Sequence, residues 1–94
     1  MELRHLQTFA EAAERESFTR AAGALELTQA AVSQQVAALE RQLGVRLFQR
    51  QGRGVQLTDQ GRELYDYARQ ILQLVEEASR RVGRDRPPVS GILR

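Results

Sequence analysis

The chain has 94 residues, 41% of them hydrophobic and 28% charged, a composition typical of one small folded domain. It contains no cysteine and one histidine, which excludes disulfides, thiolate chemistry and a histidine-based metal cluster. No apolar run approaches the ~20 residues that span a bilayer, and the N-terminus lacks the layout of a secretory signal, so the cytoplasm is the expected location. A domain of this size buries a modest core, so an element that projects from it is expected to need a partner.

The positive charge is concentrated in the middle of the sequence. Residues 41–62 carry five Arg and one Asp, a net charge of +4, whereas residues 1–40 carry three Arg and six acids. Every cationic side chain in the sequence is Arg and none is Lys. This usage favours planar, bidentate contacts with phosphates and bases over point-charge contacts. A solvated surface charge is the alternative for any single Arg.

Three helices are predicted in the first half of the chain. Apolar residues at three- and four-residue spacing predict an amphipathic helix from Glu2 to about Glu16, and a short second helix follows Ser17, which can cap it. Thr28 is a good N-cap for a third helix, and Gly44 ends it. A three- or four-residue turn separates the second and third helices, which is the outline of a helix-turn-helix. The core face of the third helix comprises Val32, Val36, Leu39 and Leu43.

A hairpin and a long helix are predicted after Gly44. Two β-favouring runs, Val45–Arg50 and Val55–Leu57, flank a glycine-bracketed tip, and a hairpin at this place is a wing. Thr58 then caps a helix that runs until Gly83. The apolar residues of this helix have the spacing of a heptad seam, and they are Leu64, Ala68, Ile71, Val75, Ala78 and Val82.

The third helix presents a second face that suits a DNA groove. Alanines let a backbone approach closely, glutamine can bond adenine through two hydrogen bonds, and hydroxyls reach base edges or phosphates. An ordinary solvated face is the alternative, and it more often carries Glu and Lys. At about 100° per residue, this second face holds no acid. It comprises Ala30, Ser33, Gln34, Ala37 and Arg41, with Gln29 at its edge.

The wing and the long helix have expected roles of their own. Arg50 and Arg53 flank the wing tip, and such a wing can lay Arg53 into a minor groove, where the negative potential is strongest over narrow A·T tracts. A flexible polar turn is the alternative.

About 25 helical residues span about 37 Å, more than a domain of this size covers, so the half from Ile71 to Val82 is expected to pair with a second copy. Packing of the whole seam on the domain's own core is the alternative. A two-fold dimer would bind a partly palindromic site with half-sites about one turn apart.

Several spaced motifs, taken together, resemble the DNA-binding domain of LysR-type transcriptional regulators over nearly the whole chain. They are Leu3-x-x-Leu-x-x-Phe9, Ser17-Phe-Thr-Arg-Ala-Ala22, Leu27-Thr-Gln-Ala-Ala-Val-Ser33, Val36-x-x-Leu-Glu40, Leu43-Gly-Val-x-Leu-Phe48-x-Arg50 and Leu57-Thr-x-x-Gly61. The resemblance implies a mainly α fold. By the resemblance we expect a winged helix-turn-helix of three helices and a two-stranded wing at residues 1–57 and a dimerising linker helix at residues 58–86. Residues 87–94 are expected to form a hinge to an effector-binding domain that lies outside this chain.

The same resemblance implies sequence-specific binding of double-stranded DNA by a bacterial regulator. We expect the regulator to act as a homodimer at the nucleoid, without a cofactor. Two positions depart from the family pattern: Ala30 replaces Pro or Ser, and Gln34 replaces Arg or Lys, which should weaken one phosphate or guanine contact. The residues that match base-contacting positions are Gln29, Ala30, Ser33 and Gln34, with Ala31 beside them, and those near phosphate or the minor groove are Thr28, Arg50 and Arg53.

Other classes of function stay open at this point. A dimerisation module that contacts only proteins is the first alternative, but it need not gather a net charge of +4 between residues 41 and 62. RNA binding is less favoured because two Tyr and three Phe, mostly in the predicted core, leave no stacking platform. We expect no enzyme, since His5 has no partnered nucleophile nearby. The operator, the effector and the choice between a dimer and a tetramer in the full-length protein are left open.

Overall fold

The computed structural model describes residues 1–83, which fold into four helices and one hairpin. In chain order they are α1 (Leu3–Arg15), α2 (Phe18–Leu25), α3 (Gln29–Leu43), β1 (Phe48–Gln51), β2 (Gly54–Leu57) and α4 (Asp59–Val82). The strands pair antiparallel, with Phe48 opposite Leu57 and Gln51 opposite Gly54. The predicted architecture, a winged helix-turn-helix followed by a long helix, is confirmed. The predicted hinge at 87–94 lies outside the described residues, and the boundaries at 57 and 86 stay predictions.

Hydroxyl caps begin three of the helices. Ser17, Thr28 and Thr58 each accept a hydrogen bond from the backbone N–H three residues further on, at 3.0 to 3.1 Å. Loss of such a cap typically costs about 1 kcal/mol of stability. Gly44 ends α3 with a φ of 71°, in the left-handed region that favours glycine. These four residues act at the helix ends for which the sequence predicts them.

The core lies where α1, α2 and α3 meet beneath the wing. Phe9, Leu39 and Leu47 are fully buried there. The ring of Phe48, at the start of β1, packs edge-on against Phe9 of α1 and Phe18 of α2, with ring centroids 5.5 and 5.2 Å apart. Aromatic pairs in this geometry contribute about 0.5–1.5 kcal/mol beyond the area they bury. The base of the wing is therefore fixed to the helices.

Two polar contacts hold α3 in place. The hydroxyl of Thr8, which is 1% exposed, donates to Oε1 of Gln35 at 2.6 Å and joins α1 to α3. The carboxylate of Glu40 accepts from the backbone N–H of Leu47 at 2.8 Å. Since that N–H is used in this way, β1 begins at Phe48, and the prediction that the strand starts at Val45 is wrong by three residues.

The first half of α4 packs against α1 and the core. Leu64, Ala68 and Ile71 contact the core, and Ala68 is fully buried. The hydroxyl of Tyr65 donates to Glu14 of α1 at 3.0 Å. Burial raises the pKa of Tyr65, and the neighbouring Glu14 carboxylate raises it further. Within residues 1–83, no helix has the length and apolarity to cross a membrane.

Candidate nucleic-acid interface

The residues predicted to contact bases lie on the side of α3 that points away from the core. Gln29, Ala30 and Gln34 are exposed, and Ala31 and Ser33 are half-buried. The opposite side of α3 buries Val32, Val36 and Leu39, as the apolar spacing predicts. The prediction is wrong for Leu43, which lies in the last turn of α3 and is 39% exposed. One helix therefore separates a core face from an outer face, as the sequence predicts.

A groove runs between the outer face of α3, the start of α2 and the wing, and we call it the α3–wing groove. It brings together four of the predicted residues, Gln29, Ser33, Arg50 and Arg53. The other four lie outside the lining of the groove: Thr28 is the N-cap of α3, and Ala30, Ala31 and Gln34 lie on its first two turns. Beside the four predicted residues the lining includes Ser17, Phe18, Thr19, Val36, Ala37, Glu40, Arg46, Phe48, Gln49, Gly54 and Val55.

The wing arginines have guanidinium groups free for an anion. Within residues 1–83, neither Arg50 nor Arg53 makes an ion pair or a side-chain hydrogen bond. By contrast, Arg62 and Arg80 of α4 each bind a carboxylate at 2.7 Å. Arg46 lies 3.6 Å from the carboxylate of Glu40. The acid nearest to the groove is therefore already engaged, and the two arginines at the wing tip are not.

A tight turn places Arg53 at the tip of the wing. The loop between the strands has two residues, Gly52 and Arg53. Gly52 has a φ of 57°, and a positive φ at the first turn position alone is the pattern of type II′ hairpins. Arg50 lies on β1 opposite Val55. Both arginines consequently project from the wing next to the outer face of α3.

Sequence reasoning does not assign some residues of the groove. Ser17 is predicted only as a cap, and Thr19, Arg46 and Gln49 are not predicted as site residues. The first turn of α2 adds backbone N–H groups at this edge, and a helix N-terminus favours phosphate. The sequence does place Ser17 and Thr19 at the start of a helix within a helix-turn-helix, which could have suggested a role in the site. Only the fold shows that this helix start adjoins the wing.

The structure divides the predicted dimer seam of α4 into two parts. Leu64 and Ala68 belong to the core of the protomer, and the fully buried Ala68 is unavailable to a second chain. Ile71 and Val75 are half-buried. Packing on the domain's own core, the alternative considered for the whole seam, holds for the first part of α4.

An exposed apolar stripe continues along the rest of α4. Tyr67, Leu74 and Val82 are 61%, 62% and 83% exposed. Tyr67 and Leu74 fall outside the predicted heptad positions, yet at about 100° per residue they share an arc of about 80° with Val82. We call this surface the α4 stripe, and its members are Tyr67, Ile71, Leu74, Ala78 and Val82.

The order of the elements defines the class of protein. A short helix, a turn, a second helix with an exposed outer face and a two-stranded hairpin together form a winged helix-turn-helix protein. A family model described as "Bacterial regulatory helix-turn-helix protein, lysR family" matches residues 3–62. The chain therefore belongs to the lysR family of bacterial regulatory helix-turn-helix proteins, and the resemblance identified in the sequence is confirmed.

Relatives in other bacteria are transcriptional regulators. The chain is 47% identical over 93 residues to an HTH-type transcriptional regulator of Azotobacter vinelandii encoded in the ibpB-leuC intergenic region, an alignment that covers 99% of this chain and 65% of that protein. It is 44% identical over 94 residues to the regulator YnfL of Escherichia coli, covering 100% of this chain and 32% of that protein. The chain thus spans between about one third and two thirds of the length of these relatives.

Solved structures of similar chains contain DNA. The complex of the BenM DNA-binding domain with catB site 1 DNA superposes with a TM-score of 0.78 at 42% identity, covering 82% of this chain and 83% of that chain. The complex of the CbnR DNA-binding domain with DNA gives a TM-score of 0.81 at 38% identity, covering 86% of this chain and 93% of that chain.

Proposed function

We propose that this chain binds double-stranded DNA in a sequence-specific manner, as the DNA-binding part of a bacterial LysR-type transcriptional regulator. The observation that carries the proposal is the α3–wing groove, which joins the outer face of α3 to two arginines without ion-pair partners. The sequence predicts this face to hold no acid, but Glu40 of α3 lines the groove, with its carboxylate engaged by the Leu47 N–H and by Arg46. The DNA held by the BenM and CbnR domains supports the class of ligand.

In this proposal α3 enters the major groove and the wing reaches the minor groove. The amide of Gln29 can donate to and accept from an adenine edge, and Ser33 can reach a base or a phosphate. Arg53, at the wing tip, enters the minor groove, where a narrow A·T tract concentrates negative potential. Arg50 anchors the adjacent backbone, together with the N-terminus of α2.

We propose that the α4 stripe pairs with the same stripe of a second copy. Exposed charges on one edge of the stripe favour an antiparallel arrangement, with Glu63 near the start of α4 and Arg81 near its end. In a parallel pair each charge meets its own copy, whereas antiparallel helices bring Glu63 opposite Arg81 of the second copy. The two α3 helices then read a partly palindromic operator.

The proposed activity is binding without a catalytic step or a cofactor. It consists of electrostatic anchoring at phosphates and readout of base edges. We place it in the bacterial cytoplasm, at the nucleoid, where such DNA lies. The wider organisation of the regulator, namely the hinge at 87–94, an effector-binding domain and a dimer or tetramer, stays a prediction.

Selection of bound duplexes from a random pool tests the assignment of α3. Gln29→Ala is expected to relax the preference at one base position per half-site and to cost about 1–3 kcal/mol at the preferred site. Gln42→Ala, which removes an exposed amide from the same helix outside the groove, is the matched control and should leave the selected sequences unchanged. Identical selected sequences for Gln29→Ala and the unaltered chain would contradict the assignment.

A further inference from the structure

The wing tip is attached to the turn between α1 and α2 by a backbone carbonyl. Glu16, which ends α1 with a φ of 52°, accepts a hydrogen bond from the Val55 N–H of β2 at 3.2 Å. In a hairpin closed by a two-residue loop, the pair beside the loop exchanges both ladder bonds, so the N–H groups of the next pair point outwards. Val55 belongs to that next pair, opposite Arg50. Its outward N–H is the one that Glu16 binds.

Gly54 makes this close approach possible. A Cβ added to Gly54 would lie 2.5 Å from the carbonyl oxygen of Glu16, closer than two such atoms can approach. The φ of Gly54 is not positive, so glycine is needed here for space and not for backbone conformation. Any other residue carries this Cβ, and it would therefore push the wing away from Glu16.

The contact lies beyond the packed base of the wing, next to Val55, whose side chain also packs against the core. The base of the hairpin is fixed by the rings around Phe48. A hairpin of two four-residue strands is marginal on its own, so its tip needs a second attachment to hold one angle. The only residue between that attachment at Gly54 and the turn glycine is Arg53.

We propose that Gly54 and the Glu16 carbonyl form a positioning contact, which sets the angle of the wing to α3 and thereby the depth at which Arg53 enters the minor groove. Gly54 thus determines specificity without touching a base. A side chain at this position displaces Arg53 and weakens the preference for A·T flanks, while α3 keeps its own base preferences. The inference rests on the proposed function.

Two duplexes with the same selected half-sites, one flanked by A·T tracts and one by G·C pairs, test the proposal. Gly54→Ala is expected to lower the ratio of the two affinities by about threefold or more, with the half-site preference retained. Gly23→Ala is the matched control, because it adds the same methyl group to α2 where nothing lies within 4 Å of the new Cβ. It should leave the ratio unchanged. An unchanged ratio in Gly54→Ala would overturn the proposal.

A double-mutant cycle separates positioning from a general loss of structure. If Gly54 acts through Arg53, Gly54→Ala has no further effect on the ratio of the affinities for the A·T-flanked and G·C-flanked duplexes once Arg53→Ala is present. If Gly54→Ala lowered this ratio equally in the chain with Arg53 and in the Arg53→Ala chain, Gly54 would act independently of Arg53, and the proposal would be overturned.

Hydrogen exchange of the Val55 amide tests the contact in the full chain without DNA. The amide is expected to be protected in the unaltered chain and to lose protection in Gly54→Ala. Rapid exchange in the unaltered chain would overturn the positioning contact and leave the proposed DNA binding intact. If instead the unaltered chain bound neither duplex, the proposed function would fall, and with it the role of the contact.

Discussion

The α4 stripe offers a way to break the proposed dimer without damaging the protomer. Leu74 is 62% exposed, whereas Ile71 also contacts the core. Full burial of a leucine stabilises by about 1.5–3 kcal/mol, so burial of the exposed part of Leu74 contributes about 1–2 kcal/mol per copy. Two copies contribute about 2–4 kcal/mol, and Leu74→Asp should raise the dimer Kd by about 30-fold to several hundred-fold.

Sedimentation velocity over a concentration series measures this change. Leu74→Asp is expected to sediment as a monomer at concentrations where the unaltered chain is a dimer, and to keep the circular dichroism of a helical, folded protomer. Gln73→Asp adds the same charge at the neighbouring residue, off the stripe, and should stay dimeric. A Leu74→Asp chain that dimerises as tightly as the unaltered chain would refute the role of the stripe.

Three further predictions concern stability and affinity. Thr8→Val removes the hydrogen bond to Gln35 and should lower the free energy of unfolding in urea by about 1 kcal/mol, whereas an unchanged midpoint would show that the bond contributes nothing. The pKa of Tyr65 is raised in the folded chain. The phenol therefore contributes fully to the free energy of unfolding below its ordinary pKa of 10.0, and this contribution is lost as the pH rises through the folded value. Tyr65→Phe should remove that alkaline loss of stability, and a loss of equal size in the variant would assign it to another group. Arg53→Ala should reduce the slope of log affinity against log salt by about 2 per dimer, and an unchanged slope would place Arg53 away from DNA.

Features that depend on neighbouring residues could be predicted from the sequence. The bounds of α3 follow from Thr28 and Gly44, because a hydroxyl cap and a left-handed glycine act within a few residues of the helix end. The start of β1 could not be predicted in this way. It depends on the bond between Glu40 and Leu47, which reaches across seven residues and leaves no trace in an alternating apolar pattern.

In the candidate site, too, the residues set by local pattern could be predicted, and a contact between distant parts of the chain could not. Gln29 and Ser33 could be predicted because the apolar spacing of α3 fixes which face is outside, and Arg53 because a hairpin follows the helix-turn-helix. The Glu16 carbonyl that binds the wing could not be predicted. It is a backbone group at the end of α1, and its partner, Val55, is 39 residues further along the chain, counting from 16 to 55.

The long helix shows why apolar periodicity predicts a face but not the partner of that face. At about 100° per residue, Leu74 and Ala68 lie about 120° apart on the apolar arc of α4. One edge of this arc packs on the core and the other edge is open, with Ala68 fully buried and Leu74 62% exposed. A heptad line from Leu64 to Val82 passes through the middle of the arc and joins residues of both kinds. Substitutions at Ala68 and at Leu74 should therefore have separable effects. A large side chain at Ala68 unfolds the protomer, whereas a charge at Leu74 leaves a folded monomer.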